Sequence, residues 1–166
     1  ACTGSSYLVA EGIDREHAQR AADRLGAPVL LAADAIADWL ADRNAARIAL
    51  LSPYPDWLNE PATAYWMRRG FEIVARTQID IGSDNTYGIY QQQSGAAAQL
   101  VGPLLESGAD AFLISGTGMP SLPLIRDLQR AGRAVIASNL ALMTAGLSLL
   151  GQQPNDSANW ALRTGA

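Results

Sequence analysis

The chain has 166 residues, 49% of them hydrophobic, and a formal net charge of −4. This is enough apolar material for one domain with a core of ordinary size. The acids are dispersed rather than run together, which argues against a nucleic-acid or membrane surface and for a small-molecule ligand or a protein partner. All twelve basic residues are arginine, so no pyridoxal-phosphate Schiff base and no Walker lysine can come from this chain.

In chain order, a helix is expected over about Asp14 to Leu25, opened by a good capping residue and stopped by Gly26. A short strand follows at Pro28 to Leu31. Ile36, Trp39, Leu40 and Arg43 mark a second helix by their i, i+3, i+4, i+7 spacing, with Asp34, Asp38 and Asp42 turned to water. Arg47 to Leu51 reads as a strand, Leu58 to Arg69 as a helix stopped by Gly70, and Phe71 to Ile79 as another strand. A fourth helix is expected from about Gln93 to Ser107, bent where Pro103 lacks an N–H. Asp110 to Ile114 and Ala134 to Ala137 complete the strands. Leu122, Ile125 and Leu128 stripe a fifth helix towards the core, and Leu140, Met143, Leu147 and Leu150 stripe the last. The alternation is that of an α/β protein with a mainly parallel sheet flanked by helices. The polar tail, 152–166, has no clear period.

The most apolar stretch, Leu140 to Leu150, is interrupted by Thr144, Gly146 and Ser148, and falls well short of the ~20 apolar residues a membrane helix needs. The N-terminus lacks the form of a signal peptide, and a single cysteine cannot make an internal disulfide, so the cytoplasm is the expected location. The missing initiator methionine and the abrupt start at the mouth of a strand suggest trimming or a fragment. His17 lies in a polar run and reads as a surface helix residue. No Cys/His cluster has metal-ligand spacing and no G-x-G-x-x-G follows a strand, so neither metal nor cofactor is expected.

The first and last thirds of the chain rhyme. Cys2-Thr3-Gly4-Ser5 opens one copy and Gly116-Thr117-Gly118-Met119 the other, each followed by a helix ending in glycine, a short strand and a further helix. Thr-Gly loops at the carboxyl edge of a parallel sheet present backbone N–H groups that can cradle a carboxylate or phosphate. Two such loops either grip one small anion from both sides or merely repeat the geometry of βαβ units.

Three side chains could carry chemistry. Cys2 stands where N–H groups and hydroxyls would stabilise a thiolate, although a lone cysteine is commonly a small buried hydrophobe. Tyr54, fixed between Pro53 and Pro55 after a strand, either donates to an oxyanion or packs on its loop. Asn85 is either a turn residue in left-handed geometry or a carboxylate donor.

Ala-Cys-Thr-Gly-Ser-Ser, Ser-Pro-Tyr-Pro, Ser-Asp-Asn, Ala-Asp-Ala-Phe-Leu-Ile-Ser-Gly-Thr-Gly and Val-Ile-Ala-Ser-Asn-Leu-Ala, in that order and over nearly the whole chain, resemble the maleate isomerase and arylmalonate decarboxylase branch of the aspartate/glutamate racemase superfamily. The resemblance implies two pseudo-symmetric Rossmann-like lobes with the N-terminal one incomplete: residues 1–45, with 135–151 as a further part, and residues 46–134. It implies cofactor-independent chemistry on a small carboxylate or dicarboxylate, with Cys2 as the catalytic thiol. Thr3, Gly4, Ser5, Tyr54, Asn85, Gly116, Thr117 and Gly118 would form the substrate site. Gly116 stands where the isomerases and racemases carry a second cysteine, whereas arylmalonate decarboxylases keep that second cysteine and have glycine at the first position. The activities implied are isomerisation or racemisation, then single-thiol decarboxylation, then binding without turnover. Oligomeric state, a homo-oligomer included, is left open.

Overall fold

Buried parallel strands have both faces covered and so read as unbroken apolar runs. The computed structural model, which describes residues 1–82, 84–92 and 100–152, shows this in β1 (Arg47–Ser52), β3 (Ala111–Ile114) and β4 (Val135–Ala137), each buried over all or nearly all of its length. The fourth strand, β2 (Glu72–Gln78), lies at an edge and carries Glu72, Arg76 and Gln78, polar side chains of the kind that blunt an open edge. All pairings are parallel and the order is β2-β1-β3-β4. Asp110 fixes the start of the central pair: its carboxylate accepts the N–H groups of Ala46 at 3.0 Å and Arg47 at 2.8 Å.

Around the sheet lie α1 (Thr3–Tyr7), α2 (Ile13–Leu25), α3 (Ala32–Ala41), α4 (Asp56–Arg68), α5 (Val101–Leu105), α6 (Leu122–Arg130) and α7 (Ser138–Leu149), with a 3-10 turn at Thr86–Gln91. Among the described residues no helix is long and apolar enough to cross a membrane. Chain direction across the sheet reverses at β1, since β2 is added on one side and β3 and β4 on the other. Ligands of open α/β sheets bind beyond the carboxyl ends of strands at such a reversal. Here those ends deliver Pro53 and Tyr54 from β1, and Ser115 to Gly118 from β3.

Several expectations need correction. Pro28 to Leu31 is not a strand of the sheet; only Ala1 lies beside it, with Ala1 N–H donating to Leu30 O at 2.6 Å and Ala32 N–H to Ala1 O at 3.0 Å. These two bonds have the parallel pattern but join the segment to Ala1 and not to the four-stranded sheet. Gly12, in left-handed geometry, rather than Asp14 opens α2, while Gly26 closes it as expected. Pro103 bends nothing, because it is the third residue of α5, where an N–H has no partner within the helix anyway. The remainder of the expected fourth helix, 93–99, lies outside the described residues, as does the tail from 153. Leu122 and Leu150 do not belong to the core, being 40% and 75% exposed. Each sits at a helix end, past the reach of the sheet.

Asp34 does not turn to water either. Its carboxylate accepts from Arg15 Nη2 and Arg69 Nη1, both at 2.7 Å, and so ties α2 and α4 to α3. Burial by itself would raise the Asp34 carboxyl, but the hydrogen bonds from the two guanidinium groups outweigh it and hold the group below its ordinary value. Folding therefore favours the charged form. The resulting stability is complete above the ordinary carboxylate range and is lost as pH falls through the depressed value. Asp34→Asn is expected to lower the unfolding free energy by about 1–2 kcal/mol at neutral pH, the exposure of Arg15 limiting its share. Urea titrations of both proteins repeated at about pH 3 should show the gap narrowing.

Candidate active site

The carboxyl ends of β1 and β3 and the start of α1 enclose a cavity of about 220 Å³ lined by Cys2, Gly4, Tyr54, Gly116, Thr117 and Gly118 among others. The two rhyming segments thus face one space. The first is the opening of a helix rather than a loop: Cys2 precedes α1 in extended geometry, leaving the N–H groups of the first turn without partners in the helix. Cys2 is exposed, its Sγ lies 3.6 Å from Ser5 Oγ, and Ser5 Oγ donates to Cys2 O at 2.7 Å. Ser5 therefore orders the thiol's own turn.

Thr3 turns inward. It is fully buried, and its Oγ1 lies 2.8 Å from the Tyr54 hydroxyl and 3.3 Å from Ser138 Oγ. Tyr54 is buried as well, and Ser115 Oγ donates to its hydroxyl at 3.3 Å. Burial pushes the Tyr54 phenol up, with hydrogen bonds from Ser115 and Thr3 pulling partly back. Tyr54 is thus a neutral donor at ordinary pH, suited to a developing oxyanion.

Asn85 does not reach the cavity lining. Its backbone is extended, at φ −117°, not left-handed, and its Oδ1 accepts Tyr87 N–H at 2.9 Å to cap the 3-10 turn. That turn carries Thr86, Ile89 and Tyr90 into the cavity wall. Leu8, Trp57 and Leu58 complete the wall, and among the described residues no charged side chain lines it. An anion here would be held by N–H groups and hydroxyls. A larger groove, about 460 Å³, runs between α2 and α3, but its Arg15 and Asp34 already neutralise each other and it holds no nucleophile.

Four residues outside the sequence-based set shape this site. Ser115 and Ser138 bond Tyr54 and Thr3, and Asn139 Nδ2 donates to Thr117 O at 2.7 Å, pinning the second loop. All three stand inside motifs quoted above, so their position carried a signal that their chemistry did not. Tyr7, whose hydroxyl lies 3.1 Å from Ser115 Oγ, had none.

A parallel α/β frame with a single thiol at its switch-point crevice defines the class of protein, and comparison with known proteins then gives the family. The profile of the arylmalonate decarboxylase family matches residues 2–162. The chain belongs to that family. The maleate isomerase of Pseudomonas putida is 30% identical over 142 residues, covering 84% of this chain and 56% of that protein. The chain spans about half the length of the curated relatives it matches. Two solved structures share the fold. A Nocardia farcinica maleate cis-trans isomerase variant with a covalently bound succinylcysteine intermediate aligns at a TM-score of 0.82 and 24% identity, covering 91% of this chain and 64% of that one. An arylmalonate decarboxylase aligns at 0.77 and 20%, covering 90% and 66%.

Gly116 has a φ of 96°, and a Cβ built on it would lie 2.8 Å from Pro53 Cγ. Gly116→Cys is therefore expected to cost about 1–3 kcal/mol in chemical denaturation, since both backbone and neighbour object. Gly118 differs, because the nearest atoms to its added Cβ all belong to the ring of exposed Tyr90, the closest at 2.7 Å. Gly118→Ala should change the unfolding midpoint little, within about 0.5 kcal/mol, as Tyr90 swings aside.

Proposed function

We propose that the chain carries the site of a cofactor-independent, cysteine-dependent isomerase acting on a small dicarboxylate, of the maleate isomerase kind. The observation that carries this is the meeting of Cys2 and Tyr54 in one cavity, uncharged among the described residues, whose far wall at Gly116 has no side chain. The maleate isomerase relatives and the succinylcysteine held by a related fold support it.

In this reading the Cys2 thiolate adds to one alkene carbon of maleate. The π pair moves onto the carboxylate of the neighbouring carbon, and the former double bond becomes a single bond free to rotate. Return of the pair expels the thiolate and leaves the trans diacid, with no proton consumed and nothing oxidised. The N–H groups of Thr3, Gly4, Thr117 and Gly118 bind carboxylate oxygens, and Tyr54 donates to the oxyanion as it forms. Ser5 and Asn85 serve by ordering the cysteine turn and the 3-10 turn. We read residues 1–45 and 46–134 as the two lobes of this site.

One thiol suffices for that sequence of steps, whereas racemisation needs a second acid or base where Gly116 stands. A second reading also needs only one thiol. An arylmalonate loses carbon dioxide by cleavage of its C–C bond, the pair rests in an enediolate held by the same donors, and the Cys2 S–H protonates it. The family to which the chain belongs favours keeping it.

Proton NMR of the full-length protein incubated with maleate should show fumarate, and Cys2→Ser should reduce the rate on the order of 10³-fold or more. Conversion of phenylmalonate with maleate untouched would replace the first reading by the second. Succinate binding without turnover of either acid would make the protein a binder.

A further inference from the structure

The reaction as written leaves a buried polar file unexplained. Trp66 on α4 and Tyr7 on α1 are both buried, and neither lines the cavity. Trp66 Nε1 donates to the Tyr7 hydroxyl at 3.0 Å, the Tyr7 hydroxyl lies 3.1 Å from Ser115 Oγ, and Ser115 Oγ donates to the Tyr54 hydroxyl at 3.3 Å. The rings pack edge to face, Tyr7 on Tyr54 at 5.9 Å and on Trp66 at 6.1 Å between centroids, so no hydroxyl has room to swing away.

The direction of this file is fixed. An indole N–H can only donate, and a serine has one proton. Ser115 spends its proton on Tyr54, so between Tyr7 and Ser115 the donor must be Tyr7. Every link then points the same way, from Trp66 to Tyr54. With the Ser115 proton on its oxygen, Tyr54 has its own proton to give to Thr3 Oγ1, 2.8 Å away, or to a ligand in the cavity it lines.

We propose that Trp66, Tyr7 and Ser115 are positioning residues that act through Tyr54, a one-way file of donors that ends on the Tyr54 oxygen and leaves its proton for the cavity. The proposal rests on Tyr54 being a donor to a substrate carboxylate, and is independent of which reaction follows. Apolar residues of the same shape would fill the core as well, without the need to satisfy four buried polar groups. The file leads from the core to the buried phenol of the site.

The test uses the full-length protein labelled with carbon-13 at tyrosine Cζ, whose five tyrosines give five lines, assigned by their loss in single Tyr→Phe variants. Trp66→Phe keeps an aromatic ring while deleting the donor and leaving a small void. It should displace the Tyr54 line, as should Ser115→Ala, while Ser115→Thr restores it and the line of exposed Tyr87 stays put. Succinate, which cannot isomerise, should bind about 3- to 10-fold more weakly to Trp66→Phe and Ser115→Ala, the effect of one weakened hydrogen bond. In the Tyr54→Phe background, Trp66→Phe should cost nothing further. An unmoved Tyr54 line, or losses that simply add in the double variant, would overturn the proposal. So would equal succinate binding by wild type and Tyr54→Phe. Failure to turn over maleate would count only against the reaction proposed above. Should Trp66→Phe fail to fold, Tyr7→Phe is read by the same two measurements.

Discussion

The bond from the Ser115 hydroxyl to the Tyr54 phenol joins the carboxyl end of β3 to that of β1, and both walls of the cavity depend on it. On one side it continues through Thr3 to Ser138, which ties in α1 and the start of α7. On the other it continues through Tyr7 to Trp66 and the underside of α4. Five elements therefore meet through hydroxyl groups at the point where the sheet changes direction. In a fully buried setting each of these groups must find a partner or bear its full desolvation cost. Such a network leaves few alternative arrangements, and the rigidity is delivered where an oxyanion would need fixed donors.

The cavity gains its shape from a second constraint, at Gly116. Its left-handed backbone lets the chain leave β3 and turn across the mouth of β1 with Pro53 packed closely against it. A side chain there would have to displace the proline that also restrains Tyr54. The lack of a second thiol is in this sense part of the architecture. Cys2 faces a wall of backbone N–H groups and a phenol, not another nucleophile.

The parts of this arrangement legible in the sequence are those whose causes are local. β1, β3 and β4 stood out because central parallel strands are buried on both faces, and Cys2, Tyr54 and Gly116 to Gly118 because each directly follows a strand or opens a helix. Pro28 to Leu31 looked the same locally, but its partner among the described residues is Ala1 and not a strand of the sheet. Leu122 and Leu150 continued their stripes in sequence but ran beyond the sheet they would have packed on. Asn85 kept its place at a turn, in a different backbone geometry. Tyr7 and Trp66 were invisible for another reason: the contacts that give them meaning span 108 and 59 residues, and nothing in their immediate surroundings announces them.

That the described residues put no cation in the walls of the cavity bears on the reaction proposed for it. During thiolate addition, charge leaves sulfur and gathers on the carboxylate next to the former double bond, then returns. A fixed arginine would bind the diacid as firmly before the step as during it, which adds affinity without lowering the barrier. Neutral donors fixed by a buried network respond differently. They gain most as the oxyanion forms, need no reorientation to do so, and do not hold the far carboxylate by a strong charge pair when it must swing about the new single bond. The uncharged lining and the rigid hydroxyl file are thus two sides of one arrangement: dipoles can replace charge at such a site only if they are already pointing the right way.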